Sequence, residues 1–318
     1  MSKNNNHEQM SKRVFLERIA RMYYILGLTQ KEVAEQMNIG RSSVARFLNE
    51  AREEGIIQFH IQSKSEKSRR SDLENLLINK FKLKDALVVK KDQGYSFETT
   101  VVNYLNSILP FQGSLGLGLG HTMNSVGQFL HLCESRPNLN IIQMSGSVGM
   151  RENNIPSTSV IQSWAQSIDA RPFFLPAPAI LDNKETRDLF LKDENIRKVK
   201  QEILNIDIAI IGIGHVGEDS AIISSELVSG LTVEELQKNS VGDVNLHFFD
   251  RNGELSMQWI SERVTGASPL DLMRIPTRVG IAYGEKKINA ILGALRGRFI
   301  NVLLTNDETA NLLLSDAE

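Results

Sequence analysis

The sequence has few of the residues that build disulfides or metal centres. Its 318 residues include one cysteine, Cys133, and six histidines. A single cysteine cannot form an intramolecular disulfide, and the scattered histidines show no metal-ligand spacing. We therefore expect a cytoplasmic protein without a disulfide framework or a metal site.

Long hydrophobic runs are absent as well. No apolar stretch approaches the roughly 18 residues of a membrane-spanning helix, and the polar residues 1–13 lack the apolar core of a signal peptide. The composition is 41% hydrophobic and 23% charged, which is ordinary for globular domains. We expect no contact with a membrane and enough chain for two domains.

The net charge of −2 is unevenly distributed. Residues 1–64 carry ten Lys and Arg against seven Glu, whereas the remainder carries 26 basic and 31 acidic residues. Contacts to DNA phosphates need Lys and Arg. A mildly basic N-terminal part on an acidic body therefore fits a DNA-binding domain attached to a larger domain.

Apolar spacing, turn residues and capping residues predict three N-terminal helices, at about 14–26, 30–37 and 41–54. Gly27 ends the first helix, and Thr29 with Glu32 forms a capping box for the second. The turn at residues 38–40 contains a glycine. This is the spacing of a helix-turn-helix, although a helical hairpin that packs on another element would give a similar pattern.

In a helix-turn-helix, the start of the recognition helix reaches the base edges in the major groove. Arginine can bind guanine with two hydrogen bonds, and serine can reach bases or phosphates. The candidate contacts on this helix are Arg41, Ser42, Ser43 and Arg46. Two residues that begin the preceding helix, Gln30 and Lys31, are candidates for backbone phosphate.

A change in composition marks the domain boundary. Ile57, Phe59 and Ile61 alternate with polar residues, which predicts a half-buried strand that could form a wing. Residues 63–72 are charged and serine-rich, and helical spacing follows them. We therefore divide the chain into a DNA-binding domain at 1–62, a linker and helix at 63–80, and an α/β domain at 81–318.

The remaining chain alternates short β-rich runs with helical stretches. Runs such as IAII and NVLL are continuously apolar, which is typical of buried parallel strands. The pattern predicts a doubly wound α/β domain. Strands are expected at 86–90, 114–120, 140–146, 171–178, 207–214, 241–249, 277–284 and 299–305, and helices at about 121–133, 187–203 and 285–296.

Three glycine-rich turns predict an anion site, at residues 116–122, 145–149 and 280–287. Such turns expose backbone N–H groups, and loops at the carboxyl ends of parallel strands converge on one crevice. A phosphate could be held by N–H groups of the first and third turns, the hydroxyls of Thr122 and Ser147, and the ammonium of Lys287. The alternative for each segment is a tight turn without a ligand.

One further glycine motif has the spacing of a dinucleotide-binding site. Gly212, Gly214 and Gly217 follow an apolar strand in the order of the dinucleotide fingerprint. Glu218 and Asp219 would place negative charge beside a pyrophosphate, and no ribose-binding acid at the end of a second strand follows at the usual distance. We therefore expect no NAD and no other cofactor.

The segment YYILGLTQ, together with the helix that contains Arg46, Phe47 and Leu48, resembles the N-terminal part of the SorC-type sugar-binding regulators. Later stretches are also similar, namely GLGLGHTM, QMSGSVG, DIAIIGIG, VGDVNLHFFD and the run from VGIAYGEKK to NDETA. Departures from the family pattern are Gly40 for serine, Phe47 for leucine, Leu119 for tryptophan and Tyr283 for glycine. The resemblance covers about residues 14–315.

The resemblance implies a bacterial regulator, usually tetrameric, that a sugar-phosphate effector releases from its operator DNA, most often as a repressor. Its effector domain would look like sugar-phosphate isomerases and glucosamine-phosphate deaminases. Residues 175–196 look close to the branch that answers phosphorylated autoinducer-2, and other pentose-phosphate-like effectors stay open. The residues carried over as effector contacts are Gly120, His121, Thr122, Ser145, Gly146, Ser147, Asp243, Gly284, Lys287 and Asp307.

Some of these residues have a purely structural alternative. Asp243 could cap a turn, and Asp307 could be the N-cap of the last helix. An isomerase or deaminase is the alternative function, with Asp243, Asp307 or His121 as a base or Lys287 as a Schiff-base lysine. A fused helix-turn-helix has no use in such an enzyme, so we predict a regulator and assign no catalytic residue.

Overall fold

The computed structural model describes residues 12–57, 68–91, 96–148, 156–224, 228 and 230–316. The chain forms two compact units, Met1–Ser63 and Lys64–Glu318. Each unit has its own hydrophobic core: the smaller one is built around Ile19, Val33 and Val44, and the larger one around the two faces of a β-sheet.

Within the described residues 12–57, the smaller unit forms the helices α1 (residues 12–25), α2 (Gln30–Met37) and α3 (Arg41–Glu53). Helix α1 is α-helical to residue 20 and ends in a π-helical turn, Arg21–Ile25. The predicted capping box is present, because Thr29 accepts a hydrogen bond from the Glu32 amide and Glu32 accepts one from the Thr29 amide. The sequence therefore places the start of α2 correctly. Of the predicted wing strand, only Ile57 lies within the described residues.

The strands of the larger unit are β1 (Asp85–Val89), β2 (Gln112–Leu117), β3 (Asn138–Gln143), β4 (Arg171–Phe173), β5 (Ile208–Gly212), β6 (Gly214–His215), β7 (Gly242–Val244), β8 (His247–Phe249), β9 (Thr277–Ile281) and β10 (Val302–Asn306). Its helices are α4 (Ser71–Phe81), α5 (Phe97–Ile108), α6 (His121–Gly127), α7 (Ser157–Ser167), α8 (Lys184–Phe190), α9 (Glu194–Leu204), α10 (Ala221–Ser224), α11 (Val233–Asn239), α12 (Gln258–Ser261), α13 (Pro269–Arg274), α14 (Ile288–Arg296) and α15 (Asp307–Ser315). Two short 3-10 helices cover Leu130–Leu132 and Glu285–Lys287.

Seven strands form a parallel sheet in the order β1-β10-β9-β5-β2-β3-β4. Both of its faces are covered, since Ala86 and Val88 lie in one core while Leu87 and Val89 lie in the other. Strands β2 and β5 are neighbours in the sheet. From β2 the chain continues to β3, on the side away from β5, and from β5 it continues to β9, on the side away from β2. The boundary between β2 and β5 is therefore a topological switch point, where open α/β sheets form their ligand crevice.

The predicted strand at 241–249 is wrong in its extent and its place. This segment forms the hairpin β7–β8, which pairs antiparallel with β6 in a separate three-stranded sheet. Asn245 and Leu246 both have positive φ, at 53° and 68°, as the type I′ turn of a two-residue hairpin requires. The predicted single helices at 121–133 and 187–203 are each interrupted; in the second case Asp193 caps a new helix, α9. Across the described part of the chain, no helix is long and apolar enough to span a membrane.

Candidate functional site

Helix α3 presents a polar surface opposite its apolar one. Val44 and Leu48 are buried against the core of the smaller unit, whereas Arg41, Ser42 and Arg46 are exposed. Ser43 is half-buried. Gly40 supplies no side-chain cap to the helix, so the amide groups at the start of α3 have no such partner there. The exposed set has the composition and the position of a DNA-contacting face.

The two candidate positions at the starts of α2 and α3 lie close together. A surface groove is lined by both Gln30 and Arg41, with Tyr23 and Tyr24 on its wall. The Arg52 guanidinium, from the last turn of α3, donates a 2.6 Å hydrogen bond to the Tyr24 hydroxyl. Lys31 is exposed beside Glu35. The groove therefore joins polar and cationic groups from both helices in one concave surface.

In the larger unit, two of the three glycine-rich turns are open. Gly120 follows β2 with φ 118°, and Gly284 follows β9 with φ 105°, a region that favours glycine. A Cβ atom added at either position would meet nothing within 4 Å. His121 is exposed and Thr122 half-buried at the start of α6. Both turns therefore leave space for a ligand beside the backbone at the carboxyl edge of the sheet.

Lys287 and Asp243 both approach the segment that follows β5, Lys287 at Ile213 and Asp243 at Gly214. The Lys287 ammonium donates a 2.9 Å hydrogen bond to the carbonyl oxygen of Ile213, just after β5. Burial lowers the pKa of Lys287, and the negative charge of Asp243 opposes that change. Burial also raises the pKa of Asp243, although the Leu246 amide and Lys287 both favour its charged form. The pair places one cation and one hydrogen-bond acceptor beside the switch point.

Asp243 also has the structural role that the sequence offered as an alternative. Its Oδ2 atom accepts a 3.0 Å hydrogen bond from the Leu246 amide, which caps the β7–β8 turn. Its Oδ1 atom occupies the space that a side chain at Gly214 would need. Gly214 is therefore required for the approach of a carboxylate. Since it leads into strand β6 rather than into a helix, this is not the structural context of the dinucleotide fingerprint.

The third glycine-rich turn is closed by hydrogen bonds over residues 145–148, and Gly149 lies outside the described residues. The Ser147 amide donates to the Ala177 carbonyl at 2.8 Å, and Gln143 donates to the Ser145 carbonyl at 2.7 Å. A Cβ at Gly146 would collide with the carbonyl oxygens of residues 177 and 178. These contacts favour the tight-turn alternative for the backbone here. Effector contacts by the two serine hydroxyls remain a prediction.

Asp307 begins α15, but it is not the N-cap. Asn306 accepts the hydrogen bond from the Thr309 amide. Asp307 instead accepts from the backbone amide of Lys91 at 3.2 Å. The Thr309 hydroxyl accepts a 2.8 Å hydrogen bond from the Gly284 amide. That amide is therefore already satisfied, although the sequence predicted it for phosphate binding.

Sequence reasoning missed a second group of charged side chains at the same edge. Asp219 Oδ2 accepts a hydrogen bond from the Lys286 ammonium at 2.9 Å, and its Oδ1 accepts one from His215 Nε2 at 2.9 Å. The hydrogen bond from Lys286, and to a smaller extent the one from His215, holds the pKa of Asp219 well below its usual range. The sequence feature that could have identified this group is the spacing of four residues between His215 and Asp219, directly after an apolar strand. From the sequence alone, Asp219 was considered only as a negative charge that would disfavour the binding of a dinucleotide.

Comparison with known proteins gives consistent matches. A family model described as a putative sugar-binding domain matches residues 65–315. The deoxyribonucleoside regulator of Bacillus subtilis (strain 168) is 27% identical over 303 residues, which cover 93% of this chain and 96% of that protein. The transcriptional regulator LsrR of Escherichia coli (strain SMS-3-5 / SECEC) is 31% identical over 307 residues, which cover 93% of each.

A solved structure extends the likeness to both units. The full-length sorbitol operon regulator SorC from Klebsiella pneumoniae superposes with a TM-score of 0.68 at 27% sequence identity. The match covers 95% of this chain and 98% of that one. Since the family model spans most of the chain and the relatives match over nearly their whole length, the chain belongs to the SorC family of sugar-binding transcriptional regulators.

Proposed function

We propose that this protein represses a carbohydrate-related operon and leaves its operator DNA when a phosphorylated sugar, or a sugar-like molecule, binds to the larger unit. The observation that carries the proposal is that Lys287 and Asp243 approach consecutive residues after β5, Ile213 and Gly214, at the switch point of the parallel sheet and between open glycine turns. A phosphate needs the cation and backbone donors, and sugar hydroxyls need the acceptor.

An isomerase or deaminase remains the alternative function. The relatives that match over 93% of this chain are named regulators rather than enzymes, and the polar surface of α3 has no use in a sugar-phosphate enzyme. We therefore infer that Asp243 binds a hydroxyl group and does not act as a base. Incubation with pentose and hexose phosphates should give no turnover.

Release from DNA follows from linkage between the two units. In a dimer or a tetramer, paired heads on neighbouring half-sites multiply weak single contacts through their effective concentration. An effector that binds one arrangement of the heads better than the other shifts the population toward it, by no more than its differential affinity. Tetrameric assembly and the branch that answers phosphorylated autoinducer-2 stay predictions from the family resemblance.

Thermal unfolding against a panel of pentose and hexose phosphates tests this function. A ligand at about 100 times its Kd should stabilise the native state by about 2.7 kcal/mol. Each phosphorylated sugar is compared with its unphosphorylated form at equal ionic strength. We expect a shift with one phosphorylated member of the panel only, and the same compound should dissociate the protein from DNA. A compound that raises the Tm equally in both forms would contradict a phosphate requirement.

Replacing Arg46 with alanine should weaken DNA binding by about 1–3 kcal/mol if this side chain contacts a base, or reduce the salt slope by about one if it contacts phosphate. The physical reason is that Arg46 is an exposed cation on the surface of α3 opposite its buried residues. Binding is measured by fluorescence anisotropy at several salt concentrations, with a duplex selected by the wild-type protein from a random library. Lys238→Ala, which removes an exposed cation of the larger unit, is the charge control. Equal affinities for wild type and Arg46→Ala would move the DNA contact elsewhere.

A further inference from the structure

We propose that Lys286 and His215 bind the phosphate of the effector in addition to the Lys287 cation, and that the Asp219 carboxylate occupies this position as an internal anion until a ligand displaces it. This inference rests on the proposed function and adds the residues that recognise the phosphate. It assigns roles to three side chains that neither sequence motif nor family pattern singled out.

The fold brings these side chains to the crevice. Strands β5 and β9 are parallel neighbours, and Gly212 pairs with Ile281 at their last register position. The segments that follow the two strands therefore lie side by side. Two consecutive lysines of the 3-10 turn Glu285–Lys287 reach across to the segment after β5, where Lys287 binds the Ile213 carbonyl and Lys286 binds Asp219.

The two lysines differ in how free they are to meet a ligand. Lys287 is half-buried and donates to the backbone carbonyl of Ile213. The Lys286 side chain is 74% exposed and is held by a carboxylate that is itself 58% exposed. An exposed pair of this kind is easily broken, because water and salt screen it. Lys286 can therefore exchange one anion for another, whereas Lys287 provides a fixed positive charge behind it.

His215 connects the exposed pair to the interior of the site. Its side chain is 16% exposed, and it lies in β6 directly after Gly214, the residue that gives Asp243 its space. A carboxylate only accepts hydrogen bonds, so His215 Nε2 carries a proton and donates to Asp219. An ammonium and an imidazole N–H that converge on two carboxylate oxygens form the same donor set that would bind two phosphate oxygens.

The donor set favours a phosphate over the carboxylate it now holds. A phosphate monoester carries close to two negative charges at neutral pH, against one for Asp219. Lys286, His215 and the nearby Lys287 then all act on the ligand. When the phosphate leaves, Asp219 again accepts hydrogen bonds from Lys286 and His215 and prevents these two side chains from binding smaller anions. Asp219 would thus compete with the ligand, and its removal should strengthen anion binding.

The test measures stabilisation by inorganic phosphate, with chloride at equal ionic strength as the reference. Asp219→Asn should reach half-maximal stabilisation at about two- to fivefold less phosphate than the wild type, the range for loss of one exposed ion pair. Glu218→Gln is the matched control, because it changes the same charge one residue away and Glu218 forms no ion pair among the described residues. An equal gain in both variants, or no gain in Asp219→Asn, would overturn the proposal.

A second pair of variants tests the cation. Lys286→Met should need about tenfold more phosphate, as expected for a charge-assisted hydrogen bond. Lys198→Met, which breaks a similarly exposed 2.9 Å pair with Glu194, should leave the phosphate requirement unchanged. The Tm of each variant without phosphate verifies folding, since all four substituted side chains are exposed. An unchanged requirement in Lys286→Met would also overturn the proposal.

The outcome separates this inference from the proposed function. If a phosphorylated sugar stabilises the wild type while Asp219→Asn and Lys286→Met behave like their controls, only the assignment of the phosphate-binding residues fails. If the variants shift as expected with inorganic phosphate while no phosphorylated sugar acts on the wild type, the anion site stands and the proposed effector class fails.

Discussion

Replacing Lys287 with methionine is expected to abolish the response to the phosphorylated effector, with a loss in affinity of at least about tenfold, or roughly 1.5–3 kcal/mol. Two effects act in the same direction. The substitution removes the half-buried cation of the crevice, and with it the positive charge that favours the ionised form of Asp243. An incoming phosphate would then meet a negative charge in a partly buried site, where electrostatic interactions are stronger than in water.

The measurement is the Kd of the phosphorylated sugar that stabilises the wild type, obtained by isothermal titration calorimetry. The loss of the hydrogen bond to Ile213 should also lower the free energy of unfolding by about 1 kcal/mol, so the Kd is compared and not the Tm alone. Lys238→Met, at an exposed position of α11, is the control. DNA affinity should be unchanged in both variants. A Lys287→Met protein that binds the effector with wild-type Kd would place the ligand elsewhere.

Replacing Trp164 with alanine is expected to lower the free energy of unfolding more than any other substitution proposed for this protein, by about 3–5 kcal/mol, and to lower the Tm by roughly 10 °C. Trp164 is fully buried in one of the two cores of the sheet. Its Nε1 atom donates a 2.8 Å hydrogen bond to the Met123 carbonyl in α6. The substitution therefore creates a cavity and leaves a buried acceptor without its donor. Since α6 starts at the open turn of Gly120, effector affinity should fall as well.

The second tryptophan of the chain is the control for this experiment. Trp259 is 43% exposed on α12 and contacts the Arg263 guanidinium. Trp259→Ala should change stability by less than about 1 kcal/mol, because a partly exposed ring loses little burial. Both variants are compared by urea unfolding, which reports the free energy of unfolding. Equal destabilisation by the two substitutions would show that burial of Trp164 does not hold this core together.

The sequence predicted the features that short-range interactions decide. Helix α2 begins at the predicted position because the Thr29 hydroxyl and the Glu32 carboxylate satisfy amide groups within four residues. The strands of the parallel sheet were recognisable because short, continuously apolar runs are typical of a sheet that is covered on both faces. The glycines at 120 and 284 were identified as special turns, and each has a positive φ. None of these predictions needed a residue from a distant part of the chain.

Tertiary structure decided which side chains meet at the candidate site. Lys286 contacts Asp219 only because β5 and β9, far apart in the chain, are neighbours in the sheet. Gly146 looked like part of a phosphate-binding turn, but the carbonyl oxygens of residues 177 and 178 fill the space beside it. Local sequence determined the start of α2, the buried parallel strands and the turns at Gly120 and Gly284, since these depend on hydrogen bonds, apolar spacing and backbone conformation among near neighbours. The assembly of charged groups at the carboxyl edge depended on strand order, which no local pattern encodes.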